Sequence, residues 1–308
     1  MVERLKAGIK NGDRVALSRA VTMVENESDG YLELLEFAYQ NRKPSYRIGI
    51  TGPPGAGKST LVSALVRGLV DDNRLAVVAV DPTSPFSGGA LLGDRIRMSE
   101  LVGLPNVFIR SMASRGSLGG LATATSNVLV LFEAFGNDYI VVETIGVGQV
   151  EIDVAQSCDT IILVLVPESG DGVQVMKAGL IEIADIIVVN KADRSGADSL
   201  FRELSNLTGQ VERAWSIPIL KTIATQGEGV DELIQSILHH RRFLEQTGEL
   251  KKRRRERIRD LLNRLLEERV REMVAMRLRP DEIERVVDMV EAGEISPFQA
   301  VEKILTRG

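Results

Sequence analysis

The chain contains the octapeptide Gly52-Pro-Pro-Gly-Ala-Gly57-Lys58-Ser59. It follows the apolar run Tyr46–Thr51 and precedes a helical pattern over Thr60–Val70, which is the strand–loop–helix context of a phosphate loop. Glycines let successive backbone N–H groups converge on phosphate oxygens, and Lys58 adds a positive charge. The start of the helix adds further N–H donors, and the Ser59 hydroxyl is placed to bind Mg²⁺. The octapeptide therefore predicts binding of a nucleoside triphosphate with magnesium.

A second motif, Asn190-Lys191-Ala192-Asp193, follows the apolar run Asp185–Val189 and predicts which base is bound. The Asp193 carboxylate can accept from the ring N–H and the exocyclic amine of guanine, whereas adenine presents no such pair of donors. We expect Asn190 at the other edge of the base and the Lys191 stem over its face. Alone, this string could be an ordinary turn. Beside a phosphate loop it predicts a GTPase.

The chain has 308 residues and a formal net charge of −5, with 44% hydrophobic and 26% charged residues. These values are typical of a globular protein with about two domains, or with one domain and appendages. The negative charge argues against a general nucleic-acid binder. No uncharged apolar run reaches about 18 residues, so no transmembrane helix is expected. An N-terminus without an apolar signal core and a single cysteine, Cys158, predict a cytoplasmic protein.

One basic run, Lys251–Arg255, stands out from the negative net charge of the chain. It could contact RNA or an acidic partner, but nearby leucines such as Leu261 and Leu262 favour an amphipathic helix with a solvated basic face. The two histidines, His239 and His240, are adjacent near the end of a predicted helix. We expect both at the surface, and neither as a metal ligand.

Runs rich in valine and isoleucine alternate with helical patterns along the middle of the chain. We predict strands near Ser45–Thr51, Leu75–Val80, Asn106–Arg110, Asp138–Glu143, Thr160–Val166, Asp185–Asn190 and Ile217–Thr222. Two of these runs are apolar without alternation, as expected for strands buried on both faces. The pattern predicts an α/β fold with a mainly parallel sheet. Right-handed crossovers would bring the carboxyl ends of the strands together, and we expect the nucleotide there.

Helical segments flank this core, which gives three predicted regions: a helical N-terminal extension at residues 1–44, a GTPase domain at residues 45–247 and a helical C-terminal arm at residues 248–308. The extension has an apolar face interrupted at Asn11-Gly12-Asp13, formed by Leu5, Ile9, Val15, Leu17, Ala20, Val21 and Val24. In the arm, prolines at helix starts predict helices over Pro280–Glu291 and Pro297–Thr306. The arm has apolar positions but no strand. It therefore needs another surface, and dimerisation is the simplest source of one.

Two further segments place acids at strand ends. The loop from Asp81 to Arg95 contains Asp81, Asp94 and three glycines, and is predicted to be a switch that senses the terminal phosphate. Either acid could bind Mg²⁺ directly or through water, although Asp94 could instead cap a helix. Glu143 ends another buried strand, where many phosphate-loop enzymes carry a magnesium-directed acid.

Together these strings closely resemble the MeaB/ArgK family of methylmalonyl-CoA mutase-associated GTPases. The strings are Asp81-Pro-Thr-Ser-Pro-Phe-Ser-Gly-Gly, Arg110-Ser-Met-Ala-Ser-Arg-Gly116, Leu118-Gly-Gly-Leu-Ala122, Val142-Glu143-Thr144-Ile145-Gly146-Val147-Gly148-Gln149 and Asn190-Lys-Ala-Asp193. The resemblance implies a homodimeric GTPase of the SIMIBI class, the signal-recognition and MinD-like branch. It further implies a chaperone that gates cofactor loading into an adenosylcobalamin-dependent acyl-CoA mutase and protects that mutase.

The resemblance also implies roles for individual residues. Lys58, Asp81 and Glu143 would be catalytic, and the magnesium ligands would be Ser59, Asp81, Asp94 and Glu143. The GTP contacts would be Gly55, Ala56, Gly57, Lys58, Ser59, Thr60, Asn190, Lys191, Asp193, Thr222, Ile223 and Ala224, and the switch residues Gly146, Gln149 and Lys177. The chain departs from the family pattern at Ser117, Val150 and Ile223, which bears on the detail of hydrolysis and partner coupling.

Other interpretations remain open. A GTPase for nickel insertion would need a Cys or His cluster, and this chain has one cysteine and two adjacent histidines. A protein-targeting GTPase would use the basic run on RNA, and a scaffold would bind GTP without turnover. The family's older label is a kinase for lysine, arginine and ornithine transport. The sequence contains no protein-kinase motif set that would support this label.

Overall fold

The computed structural model describes residues 1–82, 98–114, 120–144, 157–167, 180–209, 214–277 and 280–305. The chain divides into two compact units, Met1–Arg254 and Arg255–Gly308. The first unit contains the sheet and the N-terminal helices, and the described residues of the second form helices joined by a turn.

Within the described residues, one sheet of seven strands forms the centre of the first unit, and every pairing in it is parallel. The strands are β1 (Tyr46–Thr51), β2 (Leu75–Pro82), β3 (Val107–Ser114), β4 (Tyr139–Thr144), β5 (Thr160–Leu165), β6 (Ile186–Asn190) and β7 (Ile219–Thr222). Their order, β3-β2-β4-β1-β5-β6-β7, places β1 at the centre. Strands β4, β5 and β6 are buried along their whole length, which explains their unbroken apolar sequences. The predicted α/β fold with a parallel sheet is confirmed.

Helices cover both faces of this sheet. The described helices are α1 (Val2–Lys10), α2 (Arg14–Glu25), α3 (Tyr31–Asn41), α4 (Lys58–Leu69), α5 (Gly120–Phe135), α6 (Leu180–Ile183), α7 (Ala197–Thr208), α8 (Val230–Thr247), α9 (Glu249–Arg277), α10 (Pro280–Glu291) and α11 (Pro297–Leu305). A 3-10 turn spans Ser99–Leu101. Helices α4 and α8 share one hydrophobic core with one face of the sheet, while α5 and the three N-terminal helices share the core on the other face.

The N-terminal helices are part of the first unit's core. Leu17 is fully buried in the same cluster as Phe132 of α5. Asp13 ends the predicted interruption and caps α2, because its carboxylate accepts from the backbone N–H groups of Val15 and Ala16 at 2.8 and 3.3 Å. Placing Val15 on the apolar face was wrong. It follows the cap directly and is 60% exposed, on the side of α2 away from the core.

The amino-terminal edge of the sheet is closed by polar residues, which we call the basal cluster: the buried Tyr46, Asp159, Thr160, Asp185 and His240, and the half-buried Arg253 and Arg254. The expectation that His240 lies at the surface is wrong. Its side chain is fully buried and its Nδ1 lies 2.8 Å from Thr160 Oγ1, whereas His239 is exposed. The basic run is only partly solvated, because Arg253 and Arg254 bind Asp185 and Asp159.

The second unit contains most of α9, with α10 and α11 packed against each other. Its buried interior is small, and among its described residues Ala300 is the buried hydrophobic one. Both proline-initiated helices begin at the predicted residues. Across the described part of the chain, no helix combines the length and the apolar character that a membrane crossing requires.

The packing of α2 predicts the effect of two neighbouring truncations. Leu17→Ala should lower the free energy of unfolding by about 2–5 kcal/mol, because it leaves a cavity in the core shared with α5. Val15→Ala is the matched control and should change it by less than about 0.5 kcal/mol. Urea unfolding measures both. Equal midpoints for Leu17→Ala and the wild-type chain would show that the N-terminal helices do not share this core.

Candidate nucleotide-binding site

The phosphate loop leaves β1 at the centre of the sheet and packs closely on β5. Gly52 has a φ of 142°, and a Cβ built on it would lie 2.1 Å from the backbone oxygen of Val164. A side chain at this position would collide with a strand backbone that cannot move away. Glycine is therefore required where the loop begins.

Lys58 begins α4 and directs its ammonium group back into the loop. The side chain is buried, and Nζ donates to the carbonyl oxygens of Gly52 and Pro53 at 2.7 and 2.9 Å. These bonds hold the positive charge at the centre of the loop. A triphosphate would offer the same ammonium anionic oxygens, which form stronger hydrogen bonds than neutral carbonyls do.

Ser59 and Glu143 bring two oxygen ligands together beside the loop. The Ser59 hydroxyl donates to Glu143 Oε1 at 2.6 Å, and both side chains are buried. The parallel register pairs Ile50 with Glu143, so this acid lies next to the strand that leads into the loop. Hydroxyl and carboxylate oxygens are ligands that Mg²⁺ prefers, and the donors present therefore fit this ion.

Asn190 joins three segments at the carboxyl edge of the sheet. Its Nδ2 donates to the carbonyl oxygen of Ala56 at 2.8 Å, while its Oδ1 accepts from Thr222 Oγ1 at 3.0 Å and from the Ala224 backbone N–H at 3.2 Å. A Cβ on Gly57 would lie 2.4 Å from Asn190 Nδ2, so this contact also needs a glycine. The amide thereby fixes the phosphate loop relative to the turn after β7.

The turn after β6 carries the other base-reading candidates. Lys191 has a φ of 56°, an uncommon conformation for a side-chain-bearing residue, and its Nζ donates to the carbonyl oxygen of Gly55 at 2.8 Å. Asp193 is exposed on the same turn. The Ala192 backbone N–H donates to the carbonyl oxygen of Thr222 at 3.1 Å, which ties this turn to the end of β7. The strained turn thus presents an acid at the edge where the base is expected.

Direct contacts at this edge join most of the predicted site residues: Gly55, Ala56, Gly57, Lys58, Ser59, Glu143, Asn190, Lys191, Thr222 and Ala224. Thr60, Asp193 and Ile223 lie on the same segments. Asp94, Gly146, Gln149 and Lys177 fall outside the described residues. The backbone of Asp81 pairs with Ala113 at the end of β2, and its side chain is also outside the description. Among the residues described, no group of three or more His, Cys, Asp or Glu could hold a metal by itself.

Sequence reasoning missed one buried contact at the site. Thr144 Oγ1 donates to Thr51 Oγ1 at 3.1 Å, linking the strand end after Glu143 to the strand end before Gly52. The position of the two threonines could have predicted this contact, because each is the last residue of a strand that leads into a predicted nucleotide motif.

A central phosphate loop and an Asn-Lys-x-Asp turn at the same edge of a parallel sheet define the chain as a P-loop GTPase. The family described as methylmalonyl-CoA mutase-associated GTPase MeaB matches residues 17–278. A Pyrococcus abyssi protein with a GTPase name is 46% identical over 312 residues, which cover 99% of this chain and 96% of that protein. This chain belongs to the MeaB family of GTPases.

Three further similarities support that assignment. The mouse protein named methylmalonic aciduria type A homolog, mitochondrial, is 33% identical over 99% of this chain and 79% of its own length. GTPase ArgK of Escherichia coli K12 is 34% identical over 85% of this chain and 82% of its own length. The crystal structure of LAO/AO transport system kinase superposes with a TM-score of 0.76 at 26% identity, covering 99% of this chain and 96% of that one.

The position of Asn190 predicts a role for Thr222 in nucleotide affinity. Thr222→Val keeps the shape of the side chain but removes the hydroxyl that donates to Asn190. We expect GTP affinity to fall about five- to tenfold, which corresponds to the loss of one buried hydrogen bond. Thr222→Ser keeps the hydroxyl and should bind like the wild-type chain. Calorimetric titration with GTP and Mg²⁺ measures all three, and equal affinities for valine and serine variants would contradict the prediction.

Proposed function

We propose that this GTPase is a chaperone of an adenosylcobalamin-dependent acyl-CoA mutase of the methylmalonyl-CoA mutase type. It would gate loading of the cofactor and protect the mutase. The observation that carries the proposal is the match to a family described by its association with that mutase, over residues 17–278. The name of the mouse relative, which also refers to methylmalonic acid, supports it.

In the proposed reaction, water attacks the terminal phosphoryl group of GTP in line with the bond to the leaving GDP. The Lys58 ammonium and the backbone N–H groups of the phosphate loop would stabilise the charge on the phosphate oxygens. Ser59, with Glu143 beside it, would hold Mg²⁺, which neutralises phosphate charge when bound. Asp81 and Asp94 are proposed to complete the magnesium shell.

Recognition of guanine is assigned to the turn after β6. The exposed Asp193 carboxylate would accept from the two donors on one edge of guanine, and with ATP it would lack both. The Asn190 amide has two N–H hydrogens, of which the Ala56 carbonyl takes one. The other is suited to an acceptor on the opposite edge of the base. Lys191 would cover the face of the ring.

Intrinsic turnover is expected to be slow. Among the described site residues the acid nearest the phosphate loop, Glu143, already accepts from Ser59 and is not placed as a general base. Partner binding would then accelerate hydrolysis by selecting a catalytically competent conformation, with Gly146, Gln149 and Lys177 as the proposed switch residues. Nucleotide state would serve as a signal of assembly between the GTPase and the mutase.

The structure weakens one alternative function. A targeting GTPase would use the basic run on RNA, but Arg253 and Arg254 are paired with buried aspartates and are not available to phosphates. Metal insertion, a transport-linked role and a GTP-binding scaffold remain as outcomes of the experiment below.

Co-purification with candidate cobalamin mutases tests the chaperone role. We expect the amount of complex to differ between GTP and GDP, and the mutase to accelerate phosphate release from GTP. ATP should have neither effect, and Asp193→Ala should weaken the GTP effect because its base-reading carboxylate is lost. If no candidate mutase forms a nucleotide-sensitive complex, the chaperone proposal fails. GTP binding without phosphate release would instead favour a scaffold.

We also propose that the arm forms a homodimer. Six apolar residues of α9 are 41–62% exposed and recur every one to four residues: Ile258, Leu262, Leu265, Leu266, Val270 and Met273. At 3.6 residues per turn they form one stripe along the helix. The same stripe on a second copy is a matching surface, as in helical dimers.

Glutamate substitutions on the two faces of α9 test this dimer. Leu266→Glu places a charge in the stripe, and we expect the protein to sediment as a monomer with unchanged intrinsic GTP turnover. Arg271→Glu places a negative charge on the opposite face and should leave the dimer intact. A wild-type chain that sediments as a monomer at micromolar concentration would rule out the dimer.

A further inference from the structure

The basal cluster lies at the opposite end of the strands from the nucleotide and has no part in the proposed reaction. Its members come from the starts of β1 and β5, the residues before β5 and β6, the helix α8 and the first turns of α9. Tyr46 Oη and Thr160 Oγ1 are 2.6 Å apart, and Thr160 Oγ1 continues the chain of contacts to His240 Nδ1 at 2.8 Å. These buried polar groups therefore form one connected network.

Two buried carboxylates in this network depend on α9 for their cations. Asp185 is 5% exposed and Asp159 is fully buried. Arg253 donates to both carboxylate oxygens of Asp185 at 2.9 and 3.0 Å, and Arg254 Nη2 donates to Asp159 Oδ2 at 2.8 Å. Removing a cation partner from a buried carboxylate is destabilising. The two aspartates thus hold the first turns of α9 by charge.

His240 stands beside the same carboxylate as Arg253. Its Nε2 lies 3.4 Å from Asp185 Oδ1, and within the described part of the chain this nitrogen has no aligned hydrogen bond. Burial lowers the pKa of His240 to about 4; Asp185 and Asp159 act to raise it, whereas the charges of Arg253 and His239 act to lower it. With Arg253 in place, the imidazole is therefore neutral at ordinary pH.

The first turns of α9 contact the rest of the first unit mainly through polar groups. Lys251 and Lys252 are exposed, and Leu250 is the residue of Glu249–Arg254 that packs on the hydrophobic core. The other contacts with the rest of the first unit are the two ion pairs and hydrogen bonds from Arg253 and Arg254 to the carbonyl oxygens of Asp159 and Ser45. These residues are the last ones of the first compact unit, which ends at Arg254. Little apolar surface opposes separation of these turns.

We propose that Glu249–Arg254 is a detachable segment of the first unit, and that His240 takes up a proton when Arg253 leaves Asp185. The imidazolium then replaces the guanidinium as the cation beside the carboxylate. The proton comes from solvent and binds Nδ1, so the Thr160 hydroxyl turns from His240 towards Tyr46 Oη to donate there. Charge at Asp185 is conserved, with one cation exchanged for another, while Asp159 loses Arg254 and keeps its hydrogen bond from the Arg47 backbone N–H.

The sign of the pH dependence follows from this exchange. His240 has a depressed pKa when the segment is attached and a pKa nearer the ordinary value of about 6.5 when it is detached. Detachment therefore takes up a proton between these two pH values. Attachment is fully favoured above about pH 6.5 and is weakened as the pH falls towards 4, by up to about tenfold in the opening equilibrium per pH unit.

Proton NMR of the two histidines tests the exchange directly. His239→Gln assigns the signals, because the chain has two histidines. In Arg253→Ala we expect the His240 titration midpoint to rise by at least one pH unit, which is about tenfold in proton affinity. Arg255→Ala removes an exposed arginine two positions along the same helix and should leave the midpoint unchanged. A His240 midpoint in Arg253→Ala that lies within one pH unit of the wild-type midpoint would overturn the proposal.

If Arg253→Ala does not fold, hydrogen exchange on the intact chain tests the same idea. After correction for the intrinsic pH dependence of exchange, opening of residues 249–254 should increase as the pH falls from about 6.5 to 4. His240→Gln should flatten this dependence, because the side chain that takes up the proton is gone. Opening that is independent of pH, or a dependence that is unchanged in His240→Gln, refutes the proposal. Neither experiment uses GTP or a mutase, so the outcome is separate from that of the proposed function.

Discussion

The nucleotide site depends on two places where the phosphate loop touches its neighbours without a side chain between them. Gly52 lies against the backbone of β5, and Gly57 lies against the amide of Asn190. Because the loop is held on both sides, Lys58 and Ser59 at the start of α4 are directed inward. A larger residue at either glycine would move the loop away from the base-reading turn. The phosphate and base halves of the site are therefore one packed structure.

Buried polar groups find their partners in different ways at the two ends of the sheet. At the carboxyl edge, Lys58 and Lys191 donate to neutral carbonyl oxygens, so an anionic ligand would find stronger donors there than it would leave in water. At the amino edge, two buried aspartates are balanced by Arg253 and Arg254 from a helix that follows the domain in sequence. Strand β6 has a polar contact at each end, because Asp185 precedes it and Asn190 is its last residue. The charge balance at the amino edge therefore lies at the start of a strand whose other end contacts the phosphate loop.

Much of the fold and part of the site could be predicted from the sequence, because both depend on local patterns. Strand positions follow from apolar runs, and the phosphate loop from glycine spacing in a strand–loop–helix context. Three features could not be predicted. His240 is in an ordinary polar position of its helix, and its burial depends on how α8 packs on the start of β5. Arg253 looks like its exposed neighbours until Asp185, 68 residues earlier, is placed beside it. Asn190 was expected to contact guanine, but its contacts with Ala56 and Thr222 require three separate loops in three dimensions.

The contacts within the site bear on how it would hold a triphosphate. Lys58 and Lys191 donate to carbonyl oxygens of the loop, and Ser59 donates to Glu143. Binding a triphosphate exchanges neutral acceptors of Lys58 for anionic ones and does not require this part of the loop to fold, so little ordering entropy opposes it. Hydrolysis additionally needs a correctly placed water and the terminal phosphate held in line. Under the proposed function, hydrolysis is therefore the step that a bound partner would accelerate.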